Sequence, residues 1–471
     1  MKHERWELAQ MQSLPLEAKI RMTEYRIREW VNYYGEDCVS VSFSGGKDST
    51  VLLHIVRKIY PNVKAVFFDT GLEYPEIRLF VKGYENVDWI RPKTNFREVI
   101  IRYGYPFISK EVSECVQGAR KYLTSILNEN TIARQTDRQT DIIVIPTFMT
   151  SSRDKGNTQK EIIPSVDEES LKKMSKGGYD NKYRKLREIG EYTQKKSDEL
   201  ANILNERMNR KSGGSNRRLA IMLGWLTKDK ANPIKANIPS QDRSIFSQEK
   251  YKFFLNAPFE ISNKCCNIMK KNPSHTYMRE TGRKPITAQM ASESRLRTQK
   301  WLQNGCNAFD GNNPISNPMS FWTEQDVLLY VKQNNLHIAS VYGDIVTDFA
   351  KQGQVENQMN LSDFGIYCQE HVLKTTGCNR TGCMFCGYGC HLEKSPNRFE
   401  RMAITHPKQL DYVMRGGAFD DDGLWKPDNR GLGYWFVIEW INVHGGLKIK
   451  IPNREYYLTE YQTEETRKYL L

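Results

Sequence analysis

The sequence has no stretch approaching the roughly eighteen apolar residues of a membrane-spanning helix, and its first ten residues, MKHERWELAQ, have no apolar core of the kind that marks a secretory signal. It also has no internal repeat and no long low-complexity tract. These absences argue against membrane insertion, export and a solenoid, so a cytoplasmic, membrane-independent protein is expected. What is present argues against wholesale disorder. Among 471 residues, 39% are hydrophobic and 11% aromatic, with nine Trp, which is ample material for a packed core. The chain is long enough for two or three domains, or for one α/β domain with insertions. There are 69 Lys plus Arg against 56 Asp plus Glu, a formal net charge of +13, and ten Cys. In a reducing compartment, clustered cysteines point to metal or redox chemistry more than to disulfides.

Ile27, Trp30, Val31 and Tyr34 recur at helical spacing, so residues 1–36 are read as an N-terminal helical segment. The alternating run Cys38–Phe43 then gives a strand, Gly45-Gly46 a tight turn, and Val51 to Ile59 a helix. Further strands are expected at Val63–Phe68 and Val87–Ile90, with helices between. Such alternation implies right-handed crossovers and a parallel sheet covered on both faces. Residues 37–150 form the first half of this α/β domain. Residues 151–245 carry 21 Lys plus Arg against 13 Asp plus Glu and are read as a basic insertion that could contact DNA or tRNA phosphates. The domain resumes over 246–395, and 396–471 is an extension rich in Trp. Thr323 is the expected N-cap of a helix, with Asp326 where a capping box would carry Glu or Gln.

Ser44-Gly-Gly-Lys-Asp-Ser49 lies between the first strand and helix. Gly45 and Gly46 let backbone N–H groups face outward, the helix N-terminus adds partial positive charge, Ser44 and Ser49 supply hydroxyls, and Lys47 supplies a cation. A pyrophosphate fits that chemistry. Asp48 is a candidate for positioning a metal ion or for capping the turn. Asp69, Thr70 and Gly71 follow the second strand, at the carboxyl edge where open α/β sheets bind ligands.

Six cysteines fall in two groups: Cys265 and Cys266, then Cys378, Cys383, Cys386 and Cys390. Gly-flanked Cys-x-x-Cys can turn two thiolates toward one centre, which leaves structural zinc and a [4Fe–4S] cluster both open. Cys38 and Cys115 are read as small core residues. Cys306 and Cys368 carry no assignment. His371, His391 and His406 are read as satisfied imidazoles beside the Cys segment rather than as ligands.

The Ser44–Ser49 hexapeptide resembles the signature of the adenine nucleotide α-hydrolase superfamily, the PP-loop ATP pyrophosphatases, and Phe68-Asp-Thr-Gly-Leu-Glu73 resembles the second motif of its phosphoadenylyl-sulfate (PAPS) reductase branch. The resemblance implies an α/β PP-loop domain that binds ATP with Mg²⁺ and cleaves it between the α and β phosphates, with Lys47 and Asp48 as catalytic residues. The Cys doublet followed by Gly-Cys-x-x-Cys is similar to the cluster ligands of adenylyl-sulfate reductases. That similarity implies a [4Fe–4S] cluster on Cys265, Cys266, Cys383 and Cys386. Cys378 and Cys390 are the alternative ligands, in a segment that also resembles the ATP pyrophosphatase of DNA phosphorothioation systems. Glu293, Ser294 and Arg297 match a family segment in which Arg297 would bind the nucleotide; Ala288 and Met290 depart from it. Asn317 to Val327 is similar to a structural helix start of the family.

Three functions remain open at this point. The first is an ATP-dependent sulfur-transfer enzyme, for which a sulfur-donor protein is a candidate partner. The second is an assimilatory reductase, which the lack of any cysteine after Cys390 disfavours. The third is a non-catalytic nucleic-acid-binding factor.

Overall fold

The computed structural model describes residues 3–120, 201, 214–228, 234–235, 238–309, 313–349 and 371–470. Most of the basic insertion over 151–245, together with Cys368, lies outside the described residues. The chain divides into two compact units, residues 1–96 with 266–385, and residues 97–265 with 386–471.

The first unit is built on a sheet of six strands: β1 (Val39–Ser42), β2 (Ala65–Phe68), β3 (Val87–Ile90), β5 (Lys284–Ile286), β6 (Asn307–Ala308) and β7 (Ile315–Ser316). Their order is β3-β2-β1-β5-β7-β6. Neighbours run parallel except for the β6–β7 pair. Val39, Val41, Ala65 and Phe67 are buried, as strands covered on both faces require. The helix Lys47–Ile59 joins β1 to β2 and buries Val51, Leu52, Leu53, Ile55 and Val56. The helix Pro75–Lys82 joins β2 to β3 and buries Ile77 and Val81. Because β2 and β3 lie on one side of β1 and β5 on the other, β1 stands where the strand order reverses, the place at which open parallel sheets form a crevice.

The helix Leu16–Tyr34 buries Ile27, Trp30 and Val31 in the core of this unit. Its buried Lys19 meets Asp326 at 2.7 Å. Asp326 also accepts the Thr323 N–H at 2.7 Å, while the Thr323 hydroxyl accepts the Asp326 N–H at 3.3 Å. The capping box thus forms with Asp at its third position. One expectation is corrected: β1 begins at Val39, and Cys38 closes a 3₁₀ turn over Glu36–Cys38 with its side chain exposed. The alternation that suggested a core thiol there starts one residue later. Cys115 is buried, and burial pushes its thiol up to about 11.

In the second unit, β4 (Phe107–Ile108) pairs in parallel with β10 (Gly387–Tyr388). A Cβ on Gly387 would meet the Phe107 ring and the Pro106 carbonyl oxygen at 2.7 Å, so only glycine permits this pairing. Around it lies an aromatic core with Tyr105, Phe254, Phe259, Tyr434 and Trp435 fully buried. Two of these residues find backbone partners for their polar atoms. The Tyr105 hydroxyl donates to Leu432 O at 2.9 Å, and the Trp435 indole donates to Gly416 O at 3.1 Å. The helix Tyr434–Gly445 is apolar almost all round, which matches its burial.

Candidate active site

The phosphate loop leaves β1 at Ser42 and enters its helix at Lys47. Gly45 holds φ +70°, and a Cβ there would meet Val81 and Ile77 at 2.7 and 2.8 Å, so glycine is required twice over. The hydroxyls close the turn on itself. Ser44 and Ser49 Oγ lie 3.0 Å apart, the Ser44 N–H donates to Ser49 Oγ at 3.2 Å, and Ser49 Oγ donates to Gly46 O at 2.9 Å. Gly46, the residue before the helix, has no side chain to cap it, and the N-terminus of the helix carries partial positive charge beside the loop.

Lys47 is buried and held from several sides. Its N–H donates to the Tyr342 hydroxyl at 3.1 Å, and its Nζ donates to Asn379 O at 3.0 Å and pairs with Glu324 at 3.1 Å. Although burial opposes the charge, Asp48 and Glu324 raise its pKa above the usual lysine value, so it stays a cation. Asp48 differs from it. Its Oδ1 is buried 3.7 Å from Lys47 Nζ and has no hydrogen-bond partner. Burial pushes the carboxyl up, against the pull of Lys47 and with a further push from Glu324. An orphaned carboxylate oxygen beside a phosphate loop suits a cation carried in with the phosphates, since Mg²⁺ is commonly held by one or two carboxylates plus substrate oxygens.

Asp69, Thr70 and Gly71 are folded against one another. The Asp69 carboxyl, 1% exposed, accepts from Arg78 at 2.8 Å, from the Trp89 indole at 3.0 Å and from the Gly71 N–H at 3.0 Å. Burial opposes its ionisation, yet these donors hold it below the usual aspartate range. Thr70 gives both its N–H and its hydroxyl to Glu73.

A cavity of about 130 Å³ opens beside the loop, lined by Phe43, Ser44, Phe68, Tyr74, Lys270 and Thr381 among others. It exceeds the water-sized voids of a packed interior and is smaller than a pocket for a whole drug-sized ligand. Apolar walls with Lys270 and hydroxyls at one side suit a flat base joined to an anionic group. Lys270 lies 3.6 Å from Glu73. Burial disfavours its charge, but Cys383, Glu73 and Cys266 hold its pKa well above the ordinary lysine value.

Arg297 stands on the helix Arg295–Asn304, whose N-cap Ser294 accepts the Arg297 N–H at 3.3 Å. Its guanidinium pairs with Glu293. Burial and the neighbouring Arg380 pull it below arginine's usual value, while Asp48 pulls the other way. Several residues around the loop were not anticipated from the sequence: Lys270, Glu324, Tyr342, Asn379, Arg380 and Thr381. The nearest available signal was the position of Asn379, Arg380 and Thr381 within the Cys segment.

The two units divide between Cys265 and Cys266 and between Phe385 and Cys386. In the first unit, Cys266 and Cys383 both act on Lys270. In the second, Cys386, Cys265 and Cys390 all act on the buried Tyr434. Burial pushes the Cys390 thiol up to about 12. Cys378 Sγ donates to Arg380 O at 2.8 Å. Among the described residues, no group of three or more His, Cys, Asp or Glu is arranged to hold a metal ion. His391 Nε2 lies 3.1 Å from the Tyr251 hydroxyl, and His406 Nδ1 lies 2.8 Å from Thr405 Oγ1.

Residues 38–117 and 228–387, just over half of the chain, match the family model described as phosphoadenosine phosphosulfate reductase domain. The chain is also similar to an uncharacterized protein of Methanocaldococcus jannaschii, 31% identical over 99 residues, which are 19% of this chain and 24% of that protein. That match therefore spans about a quarter of the relative's own length. No described helix is long and apolar enough to cross a membrane.

Proposed function

The chain belongs to the phosphoadenosine phosphosulfate reductase domain family, nucleotide-utilising proteins of sulfur chemistry, and on that premise we propose that it is an ATP pyrophosphatase that activates an acceptor for sulfur transfer. The adenine would enter the cavity beside Phe43 and Phe68, and the phosphates would lie on Ser44, Gly45, Gly46 and Ser49. The observation that carries the reading is the intact phosphate loop with Asp48 Oδ1 buried and without a hydrogen-bond donor, 3.7 Å from charged Lys47. An adenylyl-sulfate substrate has no β and γ phosphates for such a loop to hold.

In the reaction, an acceptor oxygen attacks the α-phosphorus and the bond from that phosphorus to the α–β bridging oxygen breaks. Pyrophosphate leaves with the bond's electron pair, and the acceptor keeps the adenylyl group. Lys47 and the helix N-terminus meet the charge that develops on the leaving group. Asp48 would hold Mg²⁺, which when bound neutralises phosphate charge. Water as acceptor yields AMP and pyrophosphate. Pyrophosphate release from ATP tests the reading, and Asp48→Ala or Ser44→Ala is expected to abolish it. Full activity in both variants would overturn it.

The [4Fe–4S] cluster is a separate proposal, supported by the Cys pattern in the sequence, and no step above runs through it. Protein purified without oxygen is expected to hold about four irons and four sulfides per chain; a colourless protein with one zinc contradicts that. Contact of the basic 151–245 insertion with DNA or tRNA is likewise a proposal, and absence of binding at low salt eliminates it.

A further inference from the structure

The strap Cys378–Thr381 is fastened to the phosphate loop on both sides of Arg380. Before it, Asn379 O accepts Lys47 Nζ at 3.0 Å. After it, Thr381 Oγ1 lies 2.6 Å from the Tyr342 hydroxyl, the same hydroxyl that accepts the Lys47 N–H. The strap is also tied behind, where Thr375 Oγ1 donates to Cys378 O at 3.1 Å. A Cβ on Gly46 would come within 3.2 Å of Thr381 Oγ1, so strap and loop are in close contact.

The Arg380 side chain is 60% exposed and reaches Glu293 at 3.7 Å, beyond hydrogen-bond length. Glu293 is already engaged, because Arg297 pairs with it and the Met290 N–H donates to it at 3.0 Å. Two guanidiniums therefore share one carboxylate next to Asp48, and they repel each other. An anion with several oxygens would relieve that repulsion, and a planar guanidinium can grip such an anion through two parallel hydrogen bonds. An arginine that was merely solvated would need neither anchor.

We propose that Arg380 is a specificity residue of the phosphate site, gripping the terminal phosphates of a nucleoside triphosphate and so selecting it over adenine nucleotides that lack them. This rests on the reading of the loop as an ATP site. Thr381 and Asn379 act as positioning residues, holding the backbone on either side of Arg380 against the loop.

The test is calorimetric titration of ATP, then of AMP, into the wild-type chain and into Arg380→Ala and Arg380→Lys, with thermal unfolding of each variant to confirm that it folds. Arg380→Ala is expected to weaken ATP about 10-fold or more, the scale of one lost charge-assisted hydrogen bond, and to leave AMP unchanged. Arg380→Lys should recover part of the ATP affinity, because an ammonium restores the charge but not the paired geometry. Unchanged ATP affinity in Arg380→Ala, or equal losses for ATP and AMP, overturns the proposal. A wild-type chain that binds no ATP fails earlier and overturns the ATP reading itself.

Discussion

Two buried places, one in each unit, treat their polar atoms in opposite ways. In the second, the Tyr105 hydroxyl and the Trp425 and Trp435 indoles each end on a backbone carbonyl, inside a core of packed rings such as the edge-on pair Trp425–Trp435 at 5.9 Å. In the first, the loop after β1 buries Lys47 among the Tyr342 hydroxyl, Asn379 O and Glu324 and leaves Asp48 Oδ1, 3.7 Å from its Nζ, with no hydrogen bond. A satisfied aromatic core stabilises its own unit. A buried carboxylate oxygen without a donor costs stability and is retained where a ligand supplies the missing contact.

That contrast can be broken in order of expected effect. Trp435→Ala should lose about 3–5 kcal/mol of stability, read by denaturant unfolding, because it empties a large filled volume; a loss below about 1 kcal/mol would show that the second unit does not depend on its rings. Gly45→Ala forces a Cβ into Ile77 and Val81 at positive φ and should cost about 1–3 kcal/mol as well as nucleotide binding. At Gly45 the loop itself is part of the packing. Thr323→Ala removes a helix cap of the first unit and should cost about 1 kcal/mol, with ATP binding retained.

The smallest effect is the most diagnostic. Burial raises the Asp48 pKa, so the neutral form is favoured by folding, and that contribution is present below the ordinary aspartate value and lost as pH rises through the raised one. Asp48→Asn should therefore match or exceed the wild type in stability near neutral pH, and the difference should vanish in acid. If Asp48→Asn destabilises the protein at neutral pH, the carboxylate is a structural partner and the contrast between the units collapses.

Much of the first unit was legible because its signals are local. β-Branched alternation over Val39–Val41, a Gly pair and an apolar helix within about two dozen residues specify strand, turn and helix, and the structure departs mainly at the strand's first residue. The capping box at Thr323 was legible too, although its Asp326 proved able to cap the helix and bind Lys19 at once. Residues that enclose the loop from far along the chain were not legible. Tyr342 and Asn379 come from flanks of the antiparallel pair β8 (Ile345–Phe349) and β9 (His371–Thr375), and only that folding back places them on Lys47. No spacing rule reports such a contact. Nor does sequence spacing show that Cys265, Cys386 and Cys390 belong to one compact unit while Cys266 and Cys383 belong to the other.

The most direct test is product identity from ATP labelled in its β and γ phosphates, with magnesium, resolved by phosphorus NMR or chromatography. The wild-type chain should release the label as pyrophosphate with AMP or an adenylylated acceptor as the other product, and Asp48→Ala should release none. Label appearing as inorganic phosphate beside ADP, or pyrophosphate release undiminished in Asp48→Ala, would contradict α–β cleavage at this loop.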